Sequence, residues 1–301
     1  MTRLLVTGGA GFIGSHLCEG LLRCGHQVRV LDNLAYGRRD FVPAEAEFVQ
    51  GDIRDLGTCR RVAEGMDGIF HCAAMSRSGP SQDQIDTCTQ SNITGTQNML
   101  LAARDAGVRR FIYSGSSTYY GNRTVPHRES DPPDLLNIYG LTKKVGEDYC
   151  LLFDKTSDLA CVVLRYFNVY GPRQPETGAY ALVLGIFLDR LAENQALEIH
   201  GDGTQRRDFI HVRDVVAANI SAFEHAEEDG VRGEIFNVGS GENLSVKALA
   251  DMISPDQIHT EARKGDAAAT LADISKIRAR LGWSPQISFA EGLKELISLA
   301  D

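Results

Sequence analysis

At 301 residues with 43% hydrophobic side chains, the chain can bury one large core or two modest ones, which excludes a disordered segment and suits a compact enzyme of two lobes. A formal net charge of -9 argues against nucleic acid or an anionic membrane surface as the main partner, since both ask for basic stripes. The seven cysteines contain no C-x-x-C pair, strand-like sequence begins at Arg3, and no apolar run approaches ~18 residues. A cytoplasmic protein with buried thiols is expected, with no disulfide framework, zinc site, signal peptide or membrane span.

The run Arg3-Leu4-Leu5-Val6 reads as a short strand, followed by Thr7-Gly8-Gly9-Ala10-Gly11-Phe12-Ile13-Gly14 and an amphipathic helix from Ser15. A strand that turns into a helix through glycines lets backbone approach a pyrophosphate, with Phe12 and Ile13 at the start of the helix whose N–H groups face it. Gly8 suits the tight turn, Gly11 the close approach and Gly14 the helix–strand packing. Gln27–Leu31 reads as the next strand, ending in Asp32-Asn33. A carboxylate there accepts hydrogen bonds from ribose hydroxyls and repels a 2′-phosphate, favouring NAD over NADP; the pair also suits the start of a turn. Glu47–Gly51 is a third strand whose end puts Asp52 and Ile53 beside the adenine.

Further along, Gly68–Ala74, a helical pattern over Ile85–Ala106, and Arg110–Ser114 continue the alternation that indicates βαβ units and a parallel sheet. Ala73 is small enough to leave space for a cofactor at a strand's carboxyl end, and His71 reads as a hydrogen-bonded structural histidine. A polar loop, Asn122 to Asn137, is long enough to be functional. It leads into a helix from Ile138, on which Tyr139 and Lys143 are four apart and share a face. A phenol titrates near ~10 in water, and an adjacent ammonium favours the phenolate, so Tyr139 suits acid/base work.

The fingerprint Thr7–Gly14, Asp32, Tyr139-x-x-x-Lys143 and the hydroxyl run Ser114–Thr118, in this order, resemble the extended short-chain dehydrogenase/reductase family, above all its nucleotide-sugar epimerases and dehydratases. The resemblance covers nearly the whole chain. It implies an α/β fold, a Rossmann doubly wound parallel sheet with a smaller C-terminal α/β substrate lobe. Residues 1–168 would form the NAD-binding domain and 169–301 the nucleotide-sugar lobe, with parts near 205–240 returning to the sheet. It also implies a catalytic hydroxyl at Ser116, a structural Asn92, and Lys143 on the nicotinamide ribose. Asn168, Arg207 and Arg263 would hold the diphosphate and Asp266 the nucleotide side. Guanidinium suits phosphate because its donors form a planar fork; Arg206 receives no role. Thr270 stands where hexose-restricted relatives can carry a bulky aromatic, so an N-acetyl group would fit, while Met75-Ser76-Arg77 in the sugar-facing loop bears on the substrate range. Helices near Ile85–Ala106 and Tyr139–Phe153 form a dimer bundle in many relatives, which implies a homodimer.

Beside Ser116, relatives that eliminate water or carbon dioxide carry a carboxylate, where this chain has Ser117 and Thr118. The expectation is therefore a UDP-sugar 4-epimerase with resident NAD, acting on UDP-glucose/galactose and their N-acetylated forms through a transient 4-keto sugar. The alternatives are dehydration, 4-keto reduction or epimerisation at another carbon on the same scaffold, and a non-catalytic NAD-binding regulator.

Overall fold

Apolar strands alternating with amphipathic helices force the first half of the chain into βα units. The structure, a computed structural model, describes residues 1–76, 78–175, 182–261 and 267–300. β1 (Arg3–Thr7) turns into α1 (Phe12–Arg23), followed by β2 (Gln27–Asp32) and β3 (Glu47–Gln50). α2 (Leu56–Ala63) starts at Asp55, whose carboxylate accepts from the Gly57 and Thr58 N–H groups. β4 (Gly68–His71) is followed by two short helices, α3 (Ser78–Asp83) and α4 (Ile85–Thr89). A π-helical segment, Gln90–Thr94, joins α4 to α5 (Gly95–Asp105), so the helix expected over Ile85–Ala106 is continuous but widened at its middle. Asn92 sits in that segment. Its buried amide accepts from Met75 N (2.8 Å) and donates to Met75 O (3.0 Å) and Thr142 Oγ1 (2.9 Å), fastening the helix to the loop after β4 and to the helix of Tyr139.

β5 (Arg110–Ser116), α6 (Ile138–Thr156) and β6 (Ala160–Tyr166) come next. The smaller elements then begin with β7 (Asn168–Tyr170), α7 (Val183–Ala192), β8 (Leu197–His200), β9 (Arg206–Arg207) and β10 (Phe209–His211). After α8 (Val212–Glu224), β11 (Ile235–Val238) pairs with β6 in the main sheet. β12 (Leu244–Ser245), α9 (Val246–Ile253), β13 (Gln257–Thr260), α10 (Ser275–Leu281) and α11 (Phe289–Ala300) close the chain.

Seven strands form one sheet in the order β11-β6-β5-β4-β1-β2-β3, every neighbour parallel. This is the Rossmann-like doubly wound architecture the alternation implies. Helices cover both faces, which is why all seven residues of β6 are buried and why it reads as an almost unbroken apolar run. The chain leaves β1 toward β2 on one side while β4 lies on the other, so a crevice opens outside their carboxyl ends. Across it lies the second lobe, in which β8 pairs with β13 and β9 with β12 over a core that includes Leu184, Phe187, Leu197, Phe209 and Leu249. Among the described residues, no helix is long and apolar enough to cross a membrane.

Candidate active site

The glycine turn is shaped by what surrounds it. Gly8 takes φ +71°, and a Cβ there would lie 2.8 Å from Ala73 N. A Cβ on Gly14 would lie 2.1 Å from Gly8 O, so α1 starts directly against the end of β1. No side chain caps that helix, and its first N–H groups open onto a cavity of about 1010 Å³. Gly8, Gly11, Phe12, Ile13, Gly14, Asp32, Asn33, Ile53 and Ala73 line one end of it. The Asp32 carboxylate accepts from Ala10 N (3.0 Å) and Leu34 N (2.8 Å), which leaves further lone pairs for a ligand; burial raises its pKa, against the pull of those two N–H groups. Asp52 stands one step behind. Arg54 grips both its oxygens (2.9 and 2.6 Å) and Asn33 donates to it (2.9 Å), which holds the carboxyl down to about 2 and makes it the support of Asn33.

Ser116, Tyr139 and Lys143 line the same cavity. Ser116 ends β5, and its Oγ accepts from Thr118 N (3.3 Å) and Thr118 Oγ1 (2.9 Å). With both lone pairs engaged, its own O–H is left to donate. Tyr139 lies in the first turn of α6, where Asn137 caps the helix through Gly140 N (2.8 Å) and Tyr139 N donates to buried Ser81 Oγ (3.1 Å). Lys143, one turn on, is buried with Nζ 4.2 Å from the Tyr113 ring centroid. Desolvation brings its pKa down to about 8, with the Glu147 carboxylate among the groups opposing the fall. Nearby His71 is buried between Thr7 Oγ1 (2.8 Å) and Thr96 Oγ1 (3.0 Å) with its pKa pushed down to about 3, so it is neutral.

The far side of the cavity carries Asn168, Arg207 and Thr270. Arg263 and Asp266 lie outside the described residues, as does Arg77 of the sugar-facing loop.

A model of the NAD dependent epimerase/dehydratase family matches residues 4–239. The chain belongs to this family. It is 36% identical over 310 residues to the UDP-glucose 4-epimerase of Mycolicibacterium smegmatis, covering 98% of this chain and 97% of that one. A UDP-glucose 4-epimerase of Thermotoga maritima, solved with UDP-glucose, superimposes with a TM-score of 0.93 at 34% identity over 98% of this chain and 97% of that one. A UDP-N-acetylglucosamine 4-epimerase of Methanobrevibacter ruminantium, solved with UDP-N-acetylmuramic acid, gives 0.91 at 30% identity over 99% of each.

As a member of the NAD dependent epimerase/dehydratase family, the protein takes NAD as its cofactor, and its residues fit that group. An uncapped helix N-terminus suits the pyrophosphate, the Asp32 carboxylate suits a ribose diol, and the cavity exceeds what one small ligand fills.

Thr118, which the sequence places where a carboxylate would stand, also orients Ser116 through the bond from its Oγ1. One residue on this family scaffold escaped the reading of the sequence. Asp208 is a buried carboxylate that accepts from Ser240 N (2.7 Å), Ser240 Oγ (2.7 Å), Gly241 N (3.2 Å) and Ala272 N (2.9 Å). Its backbone O accepts from Asn168 Nδ2 (2.9 Å), and its backbone N donates to Thr270 Oγ1 (3.1 Å), which also accepts from Asn168 Nδ2 (3.1 Å). Two expected ligand contacts, Asn168 and Thr270, are thus held by the backbone of one acid. Arg206 is outside the cavity lining and binds Asn243 Oδ1 (2.7 Å) and O (2.8 Å), which accounts for it structurally.

Proposed function

We propose that this protein inverts C4 of a UDP-sugar, using NAD held as a resident cofactor. The observation that carries the reading is the joining of Ser116, Tyr139 and Lys143 to the cofactor cradle in one cavity, with hydroxyls and no carboxylate at residues 117 and 118. NAD, when bound, takes up the C4 hydride and gives it back. Tyr139 removes the proton of the C4 hydroxyl and later returns it, while the Ser116 O–H donates to the same oxygen as it becomes a carbonyl. Lys143 contributes positive charge beside the phenol and binds the nicotinamide ribose. Arg207 and Arg263 hold the diphosphate, so the freed 4-keto sugar turns about that linkage and offers its other face. The width of the cavity and the small side chain of Thr270 support such a turn and an N-acetylated sugar. The activities named for the similar proteins of M. smegmatis, T. maritima and M. ruminantium support the same reading.

Proton NMR of the purified protein with UDP-glucose, UDP-galactose, UDP-N-acetylglucosamine and UDP-glucuronate, without added NAD, is expected to show a C4 epimer from at least one. No turnover even with NAD supplied, in protein that binds NAD, would overturn the assignment and favour the regulator; a 6-deoxy-4-keto product would favour dehydration.

The proposal includes a homodimer. Ile85 on α4 and Leu141 and Leu152 on α6 are 49%, 45% and 53% exposed, and eleven residues bring Leu141 and Leu152 to one stripe of their helix. Sedimentation velocity at micromolar concentration is expected to show two copies; a monomer there removes this part.

A further inference from the structure

A charged pair lies in the core beneath the site and takes no part in the chemistry described above. Glu147 is two turns beyond Tyr139 and one beyond Lys143, so all three share the inward face of α6. Its carboxylate meets Arg165 of β6 as a two-point fork: Nε donates to Oε2 (2.9 Å) and Nη2 to Oε1 (2.6 Å). The side chains are only 4% and 1% exposed. Arg165 does not stop there. Its Nη1 donates to Tyr120 Oη (2.7 Å), and its guanidinium lies 3.5 Å from the centroid of the Tyr119 ring. Tyr119 and Tyr120 directly follow the turn that carries Ser116 and Thr118. At the other end of α6, backbone meets backbone: a Cβ on Gly140 would lie 3.3 Å from Thr118 O.

We infer that Glu147 and Arg165 are positioning residues, which lock the helix of Tyr139 and Lys143 to the turn of Ser116 through one planar guanidinium. This rests on the reading that those three residues act together on the sugar hydroxyl. Burying two charges is a poor way to gain stability, because desolvation cancels most of the attraction and two apolar side chains would fill the same space. What apolar packing lacks is direction. A bidentate fork fixes angle as well as distance, and a stacked, hydrogen-bonded guanidinium transmits that orientation to a third element.

The test is the double variant Glu147→Met/Arg165→Met together with Arg165→Lys, each compared with wild type on the UDP-sugar that wild type turns over best. The double variant is expected to keep its melting temperature within a few degrees, and its NAD affinity and KM within about twofold, while kcat falls on the order of 10- to 100-fold. Arg165→Lys keeps the charge and one donor but loses the fork, so a loss of about 3- to 10-fold in kcat at unchanged KM is expected. A folded double variant with wild-type kcat overturns the inference. So does Arg165→Lys with wild-type kcat, which decides the matter if the double variant does not fold. A fall in kcat that merely tracks lost NAD binding would also overturn it, reducing the pair to support of the fold. Absence of turnover in the wild type would instead bring down the 4-epimerase reading, and the pair's role with it.

Discussion

Replacing Tyr139 with Phe is expected to lower turnover by about 10³-fold while NAD and UDP-sugar bind within about twofold of wild type. The phenyl ring keeps the shape of the cavity wall, and the backbone bonds that seat the residue, Tyr139 N to Ser81 Oγ and Thr142 Oγ1 to Tyr139 O, do not involve the hydroxyl. On the proposed mechanism the variant loses the group that carries the proton. Ser116 cannot replace it, because its oxygen already accepts two bonds from Thr118 and is left with a donor rather than a vacant lone pair. Steady-state rates by NMR, with affinities by calorimetry, separate the two effects. A variant that keeps more than about a tenth of wild-type turnover would move the proton transfer to another group.

The second large effect concerns Lys143, where activity and stability are expected to move in opposite directions. Lys143→Met should lose about 10²-fold or more in turnover, since on the proposed mechanism it removes both the positive charge beside Tyr139 and the group that binds the nicotinamide ribose. The same change should stabilise the NAD-free protein at pH 7. Burial holds the ammonium at about 8 against an ordinary value near 10.4. Between those values the unfolded chain binds more protons than the folded one, so wild-type stability rises with pH from about 8 to about 10.4. Below pH 8 the whole desolvation cost is present. A shift from 10.5 to about 8 corresponds to at most about 3 kcal/mol, from which the attraction between the ammonium and the Tyr113 ring is subtracted. Urea unfolding at pH 7 and 9.5 measures both points: the variant should be the more stable at pH 7, and the gap should narrow by more than half at pH 9.5. A variant that is less stable at pH 7, or a gap that ignores pH, would show that this ammonium is not held at a cost.

Such a trade, stability given up at a site for chemistry, is one that pattern in a sequence can locate but not weigh. Tyr139 and Lys143 stand out because both belong to one helix and their spacing is the helix's own period. The glycine turn stands out for the same reason: Gly8 and Gly14 meet within a single βα junction, so the whole device fits in seven residues. The parallel sheet follows from alternation alone. What the linear order hides is every part whose partner is far along the chain. Asp208 gathers groups 32 to 64 positions away. Arg165 looks like a single flaw in an apolar strand until Glu147 and Tyr120, 18 and 45 positions distant, close around it. Asp52, expected at the adenine, also pairs with Arg54 and Asn33, because a carboxylate within reach of a guanidinium pairs with it. Local periodicity and turn chemistry are written into neighbouring residues, so they set the elements, the cofactor cradle and the helix of Tyr139 and Lys143. Which buried polar groups satisfy one another depends on strand register and helix packing across the whole sheet, and that is settled when the chain closes around its core.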